Sequence, residues 1–247
     1  MTGIAKIDFP VAWGTDAHDP HPAMRLWADP QSGWLARIRD AMHQRQAHPA
    51  RTLVLLPYAH LLPLATRLWT QCCPDGFAPQ FETTLNWSTR MGGFAPGATD
   101  ITFDMALDTL TATALLRGAG LGAQQDTLAG LLVQSAQQLG SLASASPPSE
   151  RPFWAHKARL AATLGMESPA LALEVAVARV AVEWAAQSAY ASDLLFDASV
   201  QADLDCLVVV QGFAADPLHT ALQAAWGERL ASFALAAPDG EAGAIAW

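Results

Sequence analysis

The sequence predicts an α/β fold: a small parallel sheet of P-loop-like topology with a degenerate nucleotide site, interrupted by a large helical insertion. Three observations carry that reading. Leu53-Val54-Leu55-Leu56 and Leu207-Val208-Val209-Val210 are short apolar runs of the kind buried on both faces of a parallel sheet. Each is followed by a turn and an amphipathic helical pattern. The stretch between them, residues 99–190, has helical apolar spacing almost throughout and is too long for a single crossover. The expected organisation is therefore an N-terminal extension and helix at residues 1–50, an α/β core from residues 51–98 and 191–247, and a helical subdomain at residues 99–190.

Taken in order, residues 1–30 are rich in Pro, Asp and His, and read as an irregular segment that packs by Trp13 and Trp27. Residues 31–46 read as a helix, with Trp34, Ile38 and Met42 at i, i+4 and i+8. The first strand follows, then a helix over residues 61–69. Asp75-Gly76 and Pro79 make a turn, residues 81–84 a second short strand, and residues 86–91 a helix. The next helix is expected to be capped by Thr99 or Asp100, to bury Phe103, Leu107, Leu110 and Ala114, and to end at Gly118 and Gly120. Further helices are expected over residues 124–142, 152–164 and 169–190, the last carrying Leu173, Val177, Val180 and Trp184. After the second apolar strand, Asp216-Pro217 starts a helix that runs to Trp226, and residues 229–236 alternate as a third core strand.

The strand ends lack the chemistry of an ATPase. A phosphate loop needs glycines so that backbone N–H groups converge on the phosphates, with a Lys on the β/γ-phosphates and a Ser/Thr on magnesium. Pro57, Tyr58, Ala59 and His60 stand there instead. The second strand ends in Gln211-Gly212-Phe213, where a metal-holding strand would end in acids. ATP hydrolysis is thereby argued against, and no cofactor is expected.

Composition narrows the classes further. The chain is 51% hydrophobic and 15% charged, against about 25% charged in an ordinary soluble domain. Much of the excess is alanine, which suits helices buried on one another or a surface covered by more protein. A net charge of −9 and a pI near 5.1 weigh against a free-standing nucleic-acid binder. They leave room for DNA work within a larger complex. No apolar stretch has transmembrane length, and the early Asp8, Asp16 and Asp19 do not read as a signal peptide, so a cytoplasmic location without membrane contact is expected. Cys72, Cys73 and Cys206 form neither a disulfide framework nor a zinc spacing and read as reduced, buried thiols.

The candidate contact residues lie at the strand ends, where open α/β sheets place their ligands. Tyr58 and His60 are read as contacts to a nucleic-acid strand or a partner, against the alternative of a packed turn; Arg67 is a further candidate on the helix that follows. Gly212 permits a turn at positive φ or a close backbone approach, and Phe213 either stacks a base or staples the next helix. Asp16, His18, Asp19 and His21 are possible metal ligands in a segment that fixes no fourth ligand. Asp104 and Asp108, four apart, read as solvated surface, and Trp87 and Trp226 as the tryptophans to check for exposure.

The run from Leu53 to Trp69, together with Leu207-Val208-Val209-Val210-Gln211-Gly212-Phe213-Ala214-Ala215-Asp216-Pro217, resembles the N-terminal region of AddB-type proteins. These are inactivated superfamily I helicases that carry a RecB-like PD-(D/E)XK nuclease domain at the far end. The resemblance covers roughly residues 50–236 and includes the order strand, helix, helical insertion, strand, helix. It implies a pseudo-helicase piece of a double-strand-break repair helicase-nuclease, without catalytic residues of its own. Its partner would be an active helicase subunit, and DNA would be reached through the complex. Two rivals stand beside it: a small-molecule enzyme with His60 as general acid/base, which requires a closed polar pocket between the two turns, and a purely structural adaptor, which requires an exposed apolar patch.

Overall fold

A computed structural model describes residues 33–163, 171–212 and 216–234. The sheet has four parallel strands, β1 (Thr52–Leu55), β2 (Gln80–Glu82), β3 (Cys206–Gln211) and β4 (Leu230–Ala234), in the order β2-β1-β3-β4. Leu53 pairs with Gln80 on one side and Leu207 on the other, and Leu207 pairs with Leu230. The helices are α1 (Trp34–Gln44), α2 (Leu62–Cys72), α3 (Thr84–Arg90), α4 (Met105–Gly118), α5 (Gln125–Ser144), α6 (Arg151–Thr163), α7 (Ala172–Gln187), α8 (Ala198–Asp203) and α9 (Pro217–Trp226). No helix among the described residues is long and apolar enough to cross a membrane.

Period-two alternation divides the sheet between two cores. Val54, Val208, Val210 and Ala231 meet α1 and α2 through Trp34, Ile38, Leu68 and Trp69. Leu53, Leu55, Leu207 and Leu230 meet Leu222 and Trp226 of α9, Trp87 of α3, and Leu195. The central strands are therefore covered on both faces, which is why their sequences are continuously apolar. Each fully buried Leu or Val contributes about 1.5–3 kcal/mol relative to exposure. Trp87 and Trp226 are core residues, and the Trp226 indole donates to the Leu195 carbonyl at 2.9 Å.

The helical block between β2 and β3 has its own core, in which α4, α5 and α7 pack through Ala112, Leu116, Leu132, Val133, Ala136, Val177, Ala181 and Trp184. Here two sequence expectations are corrected. The cap of α4 is Asp104, whose carboxylate accepts the Ala106 and Leu107 amides. Asp100 is engaged elsewhere, accepting from Gly97 and Ala189, and the Thr99 carbonyl takes the Trp184 indole N–H. The face that α4 buries is Asp108, Ala112 and Leu116, while Leu107 and Leu110 stand 54% and 70% exposed.

Asp108 is thus no solvated surface residue. It is fully buried and accepts from the Thr102 amide and hydroxyl, the Phe103 amide and the Gln137 side chain, all between 2.8 and 3.1 Å. Four donors offset the cost of burying the carboxylate. They also hold Phe103 at φ 60°, a left-handed backbone that only such over-determination sustains at a non-glycine residue. Arg151 is the second buried charge, bonded to Asp193 and to the carbonyls of Ala143, Ser146 and Ser188. Cys72 is exposed, against the expectation of buried thiols, whereas Cys206 is buried.

Candidate functional site

The chain leaves β1 toward β2 on one side and leaves β3 toward β4 on the other, so the ends of β1 and β3 form the point where the winding reverses. Ligands of open parallel sheets sit at this place. Leaving β1, the Leu56 amide bonds to the Glu82 carbonyl at 2.8 Å, and Pro57-Tyr58 turns the chain into a short 3-10 segment, Ala59–Leu61. The Leu61 amide is used within that turn, on the Tyr58 carbonyl, and Pro63 in the first turn of α2 has no amide hydrogen to offer. Few free N–H groups therefore converge where a phosphate would need them.

Across the switch point, Gly212 follows β3. A Cβ built on it would lie 3.1 Å from the Tyr58 hydroxyl oxygen and 3.7 Å from the Pro57 Cβ. The phenol thus rests on the bare face of the glycine backbone. Glycine here serves a close contact, which a Cβ would keep only if the phenol gave way by a few tenths of an ångström, rather than a left-handed φ. The Tyr58 ring is 39% exposed and stacks on His60, with centroids 5.6 Å apart and planes 11° from parallel.

The space beneath is a cleft of about 80 Å³, lined by Leu56, Pro57, Thr84, Gly212, Asp216 and His219 among others. Small-molecule sites run to about 300–1,000 Å³, so this cleft admits water-sized occupants and no nucleotide. His60 is exposed, with its ring against Tyr58, and no carboxylate among the described residues orients it. A general base needs such an orienting partner and a substrate within reach. The closed polar pocket required by a small-molecule enzyme is absent from this position among the described residues.

The structure brings together Tyr58, His60 and Gly212. Arg67 stands on the exposed side of α2 and lines neither the cleft nor the stack. Phe213 lies outside the described residues, as do Asp16, His18, Asp19 and His21. Among the described residues no group of three or more His, Cys, Asp or Glu gathers for a metal.

Sequence reasoning did not single out His219, Asp216 as a site residue, or Thr84. Asp216 caps α9 by accepting the Leu218 amide at 2.9 Å, and this placement brings His219 under the strand ends. The His219 Nε2 is buried without a hydrogen-bond partner among the described residues. The available signal was Asp-Pro at the helix start, which fixes the register in which His219 turns inward. The Gln211 side chain donates to the Ser232 hydroxyl at 2.8 Å, joining the ends of β3 and β4. No family model, curated protein or solved structure matches the chain.

Proposed function

We propose that the chain is a non-catalytic pseudo-helicase module of a DNA double-strand-break repair helicase-nuclease, its sheet a degenerate form of P-loop topology. In this reading it scaffolds an active helicase subunit in the cytoplasm and contacts single-stranded DNA through the Tyr58–His60 stack. The observation that carries the proposal is the plugged switch point. Tyr58 occupies the face of Gly212 that a ligand would use, and about 80 Å³ remains. Two nearly parallel exposed rings at the same strand end supply a surface on which bases stack without sequence preference.

The test has two arms. The purified chain is assayed for magnesium-dependent ATP turnover, and its binding to a fluorescent oligothymidylate is measured with and without the helicase encoded in the adjoining reading frame. Expected are no turnover, co-elution with that helicase, and an oligonucleotide affinity reduced about fivefold to a hundredfold in Tyr58→Ala, as loss of one stacked base predicts. Turnover that a Tyr58 substitution abolishes would sink the reading. A structural adaptor is favoured by one observation, the exposed Leu107 and Leu110 on α4. It predicts co-elution with no effect of Tyr58 on DNA.

A further inference from the structure

We propose that the groove between α5, α6 and α7 is the docking site for an acidic amphipathic helix of a partner protein. The proposal is independent of the switch-point reading, because none of its residues belongs to the sheet. The walls are Leu142 on α5 and Trp154, Ala158 and Ala161 on α6, the floor is Ala178 and Val182 of α7, and the open space is about 710 Å³.

The groove follows from the pattern of α5. One stripe of that helix, with Leu128, Leu132, Ala136 and Ala143, is buried in the helical core. A second line, Leu131, Ser135, Gln138 and Leu142, repeats at i, i+4, i+7 and i+11 and among the described residues has no helix upon it; its two leucines stand 45% and 46% exposed. A single apolar stripe suffices for a helix on the surface of a domain, so two exposed leucines on a second line point to another contact. Alanines opposite it leave room for a helix backbone to approach. Apolar grooves between helices take the apolar face of an amphipathic helix, anchored at i, i+3 or i+4, and i+7.

Charge selects the occupant. Lys157 is the one ionisable residue that lines the groove. Its ammonium lies 4.3 Å over the Phe153 ring and pairs with no carboxylate among the described residues. The Trp154 indole N–H, on the same wall, also makes no hydrogen bond among the described residues. Two donors without a partner among the described residues, beside an apolar trough, select carboxylates on the incoming helix. A second copy fits less well. A concave groove does not fill its own twin in a two-fold contact.

The experiment uses the full chain with a photo-reactive benzoylphenylalanine in place of Gln138. The probe is a stapled peptide of about 14 residues with leucines at i, i+4, i+7 and i+11 and glutamates on the flanks, beside a twin carrying lysines instead. Expected is cross-linking to the glutamate peptide, with at least about a tenfold preference over its twin. Ala161→Trp, which fills the trough from an exposed position, should lower the affinity at least about tenfold. Lys157→Glu should reverse the charge preference, with the fold of both variants checked by their melting curves. Equal binding of the two peptides, or unchanged affinity in folded Ala161→Trp, would overturn the proposal. So would cross-links within one chain, to residues 1–32, 164–170 or 235–247, or between two copies, because they would give the groove a different occupant.

Discussion

Replacing Arg151 with alanine is expected to destabilise the protein by about 3–5 kcal/mol, the range found when one partner of a buried ion pair is removed. The side chain is 5% exposed, and all five of its N–H donors are used. Nε donates to the Ala143 carbonyl at 3.1 Å, Nη1 to the Ser188 carbonyl at 3.1 Å and to Asp193 at 3.3 Å, and Nη2 to the Ser146 carbonyl at 3.2 Å and to Asp193. The guanidinium also lies 4.9 Å from the centre of the Tyr190 ring. One side chain thus joins the end of α5, the start of α6 and the turn after α7. Alanine would strand three carbonyls and a carboxylate, each lost partner costing about 1–3 kcal/mol where water cannot replace it. Asp193 is 24% exposed and keeps the Tyr190 amide, so its share is reduced by hydration and the total stays near the stated range. Lysine has three donors on a point charge and cannot span these acceptors, so Arg151→Lys is expected to recover less than half of the loss.

The assay is equilibrium urea unfolding of Arg151→Ala, Asp193→Asn and the double variant, at fixed pH and salt. A coupling energy of about 1–3 kcal/mol between the two sites is expected for groups in one network. A loss below about 1 kcal/mol for Arg151→Ala, the value of an ordinary surface pair, would refute the reasoning. So would a coupling energy of zero.

Three other outcomes follow from the same structure. Asp108→Ala, which strands four donors, should cost about 3 kcal/mol, whereas Asp104→Ala, which removes a helix cap, should cost about 1 kcal/mol; parallel urea titrations check the ratio. Burial, against a smaller opposing pull from Arg45, pushes the Cys206 thiol up from 9.0 to about 11. The folded state therefore holds that proton more tightly than the unfolded chain, and its contribution to stability is intact below pH 9 and is lost as pH rises from 9 toward about 11. Melting curves across that range should decline less steeply in Cys206→Ala, and in the native chain a thiol reagent should modify Cys72 first and Cys206 only on unfolding. Gly212→Ala should cost about 0.5 kcal/mol by displacing the Tyr58 phenol a few tenths of an ångström, and the cost should vanish in a Tyr58→Ala background, which a double-mutant cycle reads directly.

The strands were legible because a parallel strand buried on both faces needs no long-range information to be recognised: Leu53 to Leu56 and Leu207 to Val210 are apolar at every position. The register of α4 was not legible. Its sequence carries two stripes, Leu107 with Leu110 and Ala114, and Asp108 with Ala112 and Leu116, and by hydrophobicity the first is the better core face. The choice is made by Gln137, twenty-nine positions away, and by the Thr102–Phe103 amides, which together satisfy Asp108. The cap was hidden for the same reason. Thr99, Asp100 and Asp104 are equivalent capping residues until Ala189 claims the Asp100 carboxylate and Trp184 ties down the Thr99 backbone carbonyl. At the switch point, the positions of Tyr58, His60 and Gly212 could be read from strand ends alone. That the phenol seats on the glycine depends on a side-chain rotamer, which no spacing encodes.

These two outcomes bear on where the chain does its work. In an enzyme of this architecture the strand ends stay open and the helices around them are covered, because binding requires space at the switch point. Here the relation is inverted. The strand ends are closed by Tyr58 on Gly212, while the helical block leaves a trough of about 710 Å³ and places Leu107 and Leu110 of α4 in solvent. The apolar side chains that the core of that block declines are carried outward on rigid helices, one of them anchored at its start by a buried Arg151 that bonds to both of its neighbours. Helices held this firmly lose little freedom on association, so a partner that covers them gains nearly the full benefit of the buried surface. If Arg151→Ala loosens this block, peptide binding in the groove should weaken at urea concentrations well below those that unfold the sheet. Loss of both together, in one transition, would instead mean that sheet and helical block fold as a single unit.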